Sequence, residues 1–90
     1  MIKSIWIFNG ANSRFASGVF EEINEAEKWI EKYSLTGVLT KYPTNMSVYD
    51  WATENGFFTP KKEEHTSAEF IGKFSSASQD HFHYENGKKE

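Results

Sequence analysis

Apolar residues run unbroken from Ile5 through Trp6 and Ile7 to Phe8, so both faces of an extended segment are greasy; residues 2–8 are expected to form a strand inside a sheet. Residues 9–14 carry turn chemistry, and residues 16–20 read as a second, antiparallel strand, making a hairpin with a long tip. The period then changes. Ala26, Trp29, Ile30 and Tyr33 share one helical face, with Asn24 as the expected N-cap and Glu27 as its capping-box partner. Glu25, Lys28, Glu31 and Lys32 cover the remaining, solvated side of this helix.

Residues 35–42 are rich in β-formers and stop at Pro43, which predicts a third strand. Ser47, with Asp50 three residues on, caps a short helix bearing Val48, Tyr49, Trp51 and Ala52, and Gly56 stops it. Thr66 with Glu69 opens a further turn or two through Phe70 and Ile71, while residues 75–79 fit either a turn or extended chain. From 81 to 85 the alternation is strict: Phe82 and Tyr84 against His81, His83 and Glu85, a half-buried last strand. Residues 86–90 are expected to be a flexible C-terminal tail.

This order, β-β-α-β-α-α-β, predicts an α+β fold: a small, mainly antiparallel sheet of about four strands with two to three helices packed on it, in a single domain over residues 1–85. Ninety residues allow one core, expected to gather Trp6, Phe8, Trp29, Ile30, Leu39, Trp51 and Phe70. An aromatic share of 17% with three Trp suits that, because rings fill a small core efficiently.

Composition removes several classes of function. There is no Cys, hence no disulfide, thiolate nucleophile or Cys-ligated metal. Ten basic against thirteen acidic residues leave a net charge of −3, and Arg14 is the only arginine, so nucleic acid is not an expected partner. No apolar stretch approaches a membrane span, and the first residues do not form a secretory leader; a cytoplasmic location without membrane contact is expected.

Several phrases carry a resemblance: Gly18-Val19-Phe20, residues 25–30 (EAEKWI), residues 35–43 (LTGVLTKYP), residues 48–52 (VYDWA), Glu54-Asn55-Gly56, residues 58–62 (FTPKK), residues 69–72 (EFIG) and residues 74–85. Together they resemble a family of short uncharacterised bacterial proteins, a domain of unknown function. The resemblance spans nearly the whole chain and implies no reaction, cofactor or catalytic residue.

Candidate chemistry is sparse. His81 and His83, two apart on a strand, project to one face, a spacing at which two imidazoles share a metal; His65 is a further candidate ligand. Tyr49, His81, His83 and Glu85 form the expected interaction surface. The tip at residues 9–14 offers backbone N–H groups and one guanidinium for an anion, but lacks the Gly-Lys-Ser/Thr ending of a phosphate loop. Ser78, Asp80 and His81 supply the residue types of a hydrolase triad without its sequence context. The expected function is therefore a non-enzymatic, cofactor-free protein-binding or accessory domain, its partner another protein or itself in a homodimer. The alternative is a metal- or small-ligand-binding domain centred on His81 and His83.

Overall fold

A computed structural model describes residues 3–90 of the chain, so the expected strand start at Ile2 lies outside the described residues. The elements are β1 (Ser4–Gly10), β2 (Ala16–Phe20), α1 (Ile23–Lys32), β3 (Gly37–Pro43), α2 (Val48–Glu54), a 3₁₀ turn (Glu63–Thr66), α3 (Ala68–Gly72), β4 (His81–Glu85) and β5 (Lys88–Lys89). The fold is α+β, one antiparallel sheet in the order β2-β1-β3-β4-β5 with three helices. Among the described residues no helix is long and apolar enough to cross a membrane.

Cross-strand register decides what each face of the sheet carries. Trp6 lies opposite Phe20 and Lys41, Phe8 opposite Gly18 and Leu39, and Leu39 opposite Phe82. These residues and Tyr84 form one face, and α1 lays Ala26, Trp29 and Ile30 across it. Phe8, Ala26, Ile30, Leu39 and Tyr84 are buried there, ringed by Trp6, Phe20, Ile23, Trp29, Leu35 and Phe82. Trp29 stands edge-on to Phe8 with ring centres 5.4 Å apart. Each fully buried large side chain contributes about 1.5–3 kcal/mol. Gly37 permits the close approach of β3 to β1, since a Cβ there would run into the Asn9 carbonyl and the Phe8 ring.

Trp51 and Phe70, expected in this core, lie elsewhere. The chain leaves the sheet after Pro43 and rejoins it at His81, and the intervening insert builds a second cluster from Tyr49, Phe58, His65, Phe70 and Phe74. Trp51 packs on Phe57, ring centres 5.2 Å apart.

The caps are partly as expected. Ser47 Oγ accepts from the Asp50 N–H at 3.0 Å and opens α2. At α1, however, the N-cap position is Glu22, which makes no side-chain cap, and Asn24 lies inside the helix. One residue past the expected Thr66, Ser67 caps α3 by accepting from the Phe70 N–H at 3.1 Å.

The segment expected as a flexible tail contains the fifth strand. Tyr84 pairs with Lys89 and Glu85 with Lys88 around Asn86 and Gly87, both at positive φ, a two-residue hairpin turn. The Gly87 N–H donates to the Leu35 carbonyl at 2.8 Å, and any Cβ at Gly87 would press on the backbone of α1 and its exit.

Candidate interaction surface

The second face of the sheet carries Ile5, Ile7 and Asn9 from β1, Val19 from β2, Val38, Thr40 and Tyr42 from β3, and His81, His83 and Glu85 from β4. None of these is buried: the β1 and β3 residues are half-buried and the others exposed. The expected alternation in β4 is therefore present. The imidazoles of His81 and His83 sit 5.5 Å apart, nearly perpendicular. His81 Nδ1 lies 2.7 Å from the Gln79 carbonyl, which can only accept, so Nδ1 is the donor in this contact.

His65 is not brought to that pair, and among the described residues no three ligating side chains gather into a metal-sized group. Its ring packs against Phe58 and Phe70 in the insert. Its Nδ1 accepts from the backbone N–H groups of Lys61 and Lys62 at 3.1 and 3.3 Å, so this nitrogen is committed to capping the 3₁₀ turn. Tyr49 is likewise internal to the insert. Its ring contacts Phe58, Phe70 and Phe74, and its hydroxyl donates to the His65 carbonyl at 2.9 Å. Of the expected surface, His81, His83 and Glu85 share a face, and Tyr49 belongs to a different cluster. The rings that cover Tyr49 come from Phe58, Phe70 and Phe74, later in the chain.

The hairpin tip is ordered by backbone hydrogen bonds, within itself and to the chain entering β3. The Ala11 N–H donates to the Thr36 carbonyl at 2.9 Å and the Ser13 N–H to the Gly10 carbonyl at 3.1 Å. Glu85 and Glu90 border the same hollow as residues 9–12 and His83. Two of its backbone donors are engaged within the fold, and the carboxylates alongside disfavour an anion there. Ser13 Oγ donates to the Phe15 carbonyl at 2.9 Å and accepts the Phe15 N–H at 3.3 Å, a local clamp that holds Phe15 outward, 75% exposed. The Arg14 guanidinium lies 5.8 Å from the Phe15 ring centre. The sequence signal for this pair is the single arginine beside an aromatic in an otherwise polar turn.

A polar lock closes the opposite side of the sheet. Glu27 Oε2 accepts from the Tyr84 hydroxyl at 2.6 Å and pairs with Lys89 Nζ at 2.8 Å, while Lys89 Nζ also lies 4.3 Å from the Phe82 ring centre. Hydrogen bonds from Lys89 and then Tyr84 hold the Glu27 carboxyl below its ordinary 4.5. Burial, then the neighbouring Glu27 carboxylate, pushes the Tyr84 hydroxyl well above its ordinary 10. Glu27, expected to reach back to its own helix start, instead ties α1 to β4 and β5.

No curated protein and no solved structure matches the chain. A family match does extend over residues 5–90, from the first central strand through the terminal hairpin: the chain belongs to the family described as domain of unknown function DUF7710.

Proposed function

We propose that this chain is a non-enzymatic protein-binding domain whose anchor is the β1–β2 hairpin, with the outer sheet face as the adjoining contact area. The observation that carries this reading is Phe15, a large apolar ring held in solvent by the Ser13 clamp with the guanidinium of Arg14 beside it. Aromatic rings and Arg dominate binding hot spots, and a clamped loop loses little entropy on docking. The cross-strand row Val19, Ile7, Thr40 and His81 continues from this hairpin across the sheet, and its neighbour runs Ala16, Asn9, Val38 and His83. The partner is another protein with an apolar pocket edged by carboxylates, the complement of Phe15 and Arg14. His81 and His83 then serve as rim hydrogen-bonding groups, not as metal ligands.

The test places a photo-crosslinking residue at position 15 and, as a control, at position 31 on the solvated side of α1. A defined adduct from position 15 alone, competed by the wild-type domain and not by an Arg14→Glu/Phe15→Ser domain, supports the reading. Equal adducts from both positions, or equal competition by the double variant, overturns it. A concentration-dependent homodimer joined through position 15 identifies the partner as a second copy.

A further inference from the structure

A cavity of about 530 Å³ lies between the end of the sheet and α2, away from the hairpin and from the histidine face. Its apolar wall is Pro43, Met46 and the Trp51 indole, and its charged groups are Lys3, Lys41 and Asp80. We propose that this cavity binds a small ligand with a flat aromatic body and one anionic group, a carboxylate or a phosphate. Three observations carry this inference.

The size is that of small-molecule sites, and the wall sets the apolar surface of Pro43, Met46 and Trp51 among polar and charged side chains that can orient a ligand. The cations are uncompensated, because among the described residues neither Lys3 nor Lys41 takes part in a salt bridge, and two lysines face one Asp80. An anion satisfies that imbalance through charge-assisted hydrogen bonds. The indole of Trp51 forms a flat wall, and among the described residues its N–H has no hydrogen-bond partner, so it can donate to a ligand lying against it.

The site is also built in advance. Gln79, a polar residue only 4% exposed, donates from Nε2 to the Lys41 carbonyl at 3.2 Å, while the Lys41 N–H donates to the Asp80 carbonyl at 2.9 Å. These bonds pin the turn before β4 to the end of β3. Asn55 Nδ2 donates to the Trp51 carbonyl at 2.8 Å and closes α2 behind the indole. A pre-formed pocket avoids the ordering cost that weakens binding.

The full ¹⁵N-labelled chain is titrated with 2-naphthoate and with adenosine 5′-monophosphate, beside their uncharged counterparts 2-naphthylmethanol and adenosine. The three Trp give three indole N–H resonances, and Trp51 is assigned by the one lost in Trp51→Phe. The expected result is a saturable shift of the Trp51 resonance by at least one anion, at least about tenfold tighter than its uncharged counterpart. Lys3→Gln/Lys41→Gln then loses about tenfold in affinity with an unchanged Tm, and binding weakens as salt is raised. The anion that binds distinguishes carboxylate from phosphate. No saturable shift up to ~10 mM of either anion, equal binding of the uncharged compounds, or full binding by the double lysine variant with native Tm overturns the inference.

Discussion

The two halves of this molecule are held together by different means. Beneath α1, the sheet buries Phe8, Ile30 and Leu39 completely, in a layer whose contacts join residues far apart in sequence. In the insert between β3 and β4 the rings of Tyr49, Phe58, Phe70 and Phe74 contact one another but all remain half-buried, and Ala52 and Gln79 are its only buried side chains. Its order leans on polar ties: the Tyr49 hydroxyl to His65, the His65 ring to the backbone of Lys61 and Lys62, and Gln79 to β3. Apolar burial stabilises the first half through removed area, whereas the second relies on hydrogen bonds whose net worth is smaller. The insert should therefore open locally before the sheet does.

The largest effect tests the first half. Phe8→Ala should cost about 3–5 kcal/mol and bring the whole domain to its stability threshold, read as a Tm drop in calorimetry. A change small enough to leave the transition within a few degrees of the parent would mean that the α1 layer is not the main source of stability. Phe58→Ala should cost about 2 kcal/mol, expressed mainly as lost amide hydrogen-exchange protection in residues 44–80 with the β1 and β3 amides still protected. Simultaneous loss in both halves would erase the distinction between them.

Next comes the lock joining α1 to the terminal hairpin. Glu27→Gln should cost about 1–2 kcal/mol at pH 7. Because the folded carboxyl titrates below 4.5, its contribution is present above that pH and is lost as pH falls through the lower folded value. Tyr84 has the opposite sign. Its folded hydroxyl titrates above 10, so only the unfolded chain ionises as pH rises past 10, and stability falls there. Denaturation midpoints against pH should show both limbs, with Glu27→Gln flattening the acid limb and Tyr84→Phe the alkaline one. An unchanged acid limb in Glu27→Gln would assign acid sensitivity to other carboxylates.

Tyr49→Phe should cost about 1 kcal/mol, confined to the insert, since it removes one hydrogen bond and leaves the ring packing. Phe15→Ser marks the small end of the scale: a ring that is 75% exposed should change stability by less than about 0.5 kcal/mol. A Tm drop of several degrees would show that Phe15 is structural and would remove the main support for a hairpin anchor.

Much of the first half was legible without coordinates. The unbroken apolar run at Ile5 to Phe8 announced a central strand, helical spacing put Ala26 and Ile30 inward, and alternation put Phe82 and Tyr84 opposite His81 and His83. Such periodicities reflect which face is buried, and burial acts on every residue of an element at once. The terminal hairpin is legible too, since Asn86-Gly87 is a strong two-residue turn pair, and that turn chemistry prevails over the fraying expected of residues 86–90.

Cap placement and pairing across the chain were not legible in the same way. Asn24 and Thr66 have the right chemistry for caps, but Glu22 and Ser67 occupy those positions, because the packing of α1 and the 3₁₀ turn decides where each helix begins. Glu27 has two possible uses at comparable energy, its own helix start or a partner from another strand, and only the register of β4 and β5 brings Tyr84 and Lys89 within reach.

By itself, then, the sequence determined the class of fold, the inward faces of α1 and β4, and the absence of any Cys-dependent chemistry, since these follow from local period and composition. Tertiary structure alone decided that the aromatics divide into two clusters, that His65 stands apart from His81 and His83, that Phe15 is held in solvent, and that Lys3, Lys41 and Trp51 share a cavity. Those outcomes depend on where the chain leaves the sheet and where it returns. The physical reason is that contacts between distant residues carry no periodic trace in the chain, and only closure of the sheet selects among them.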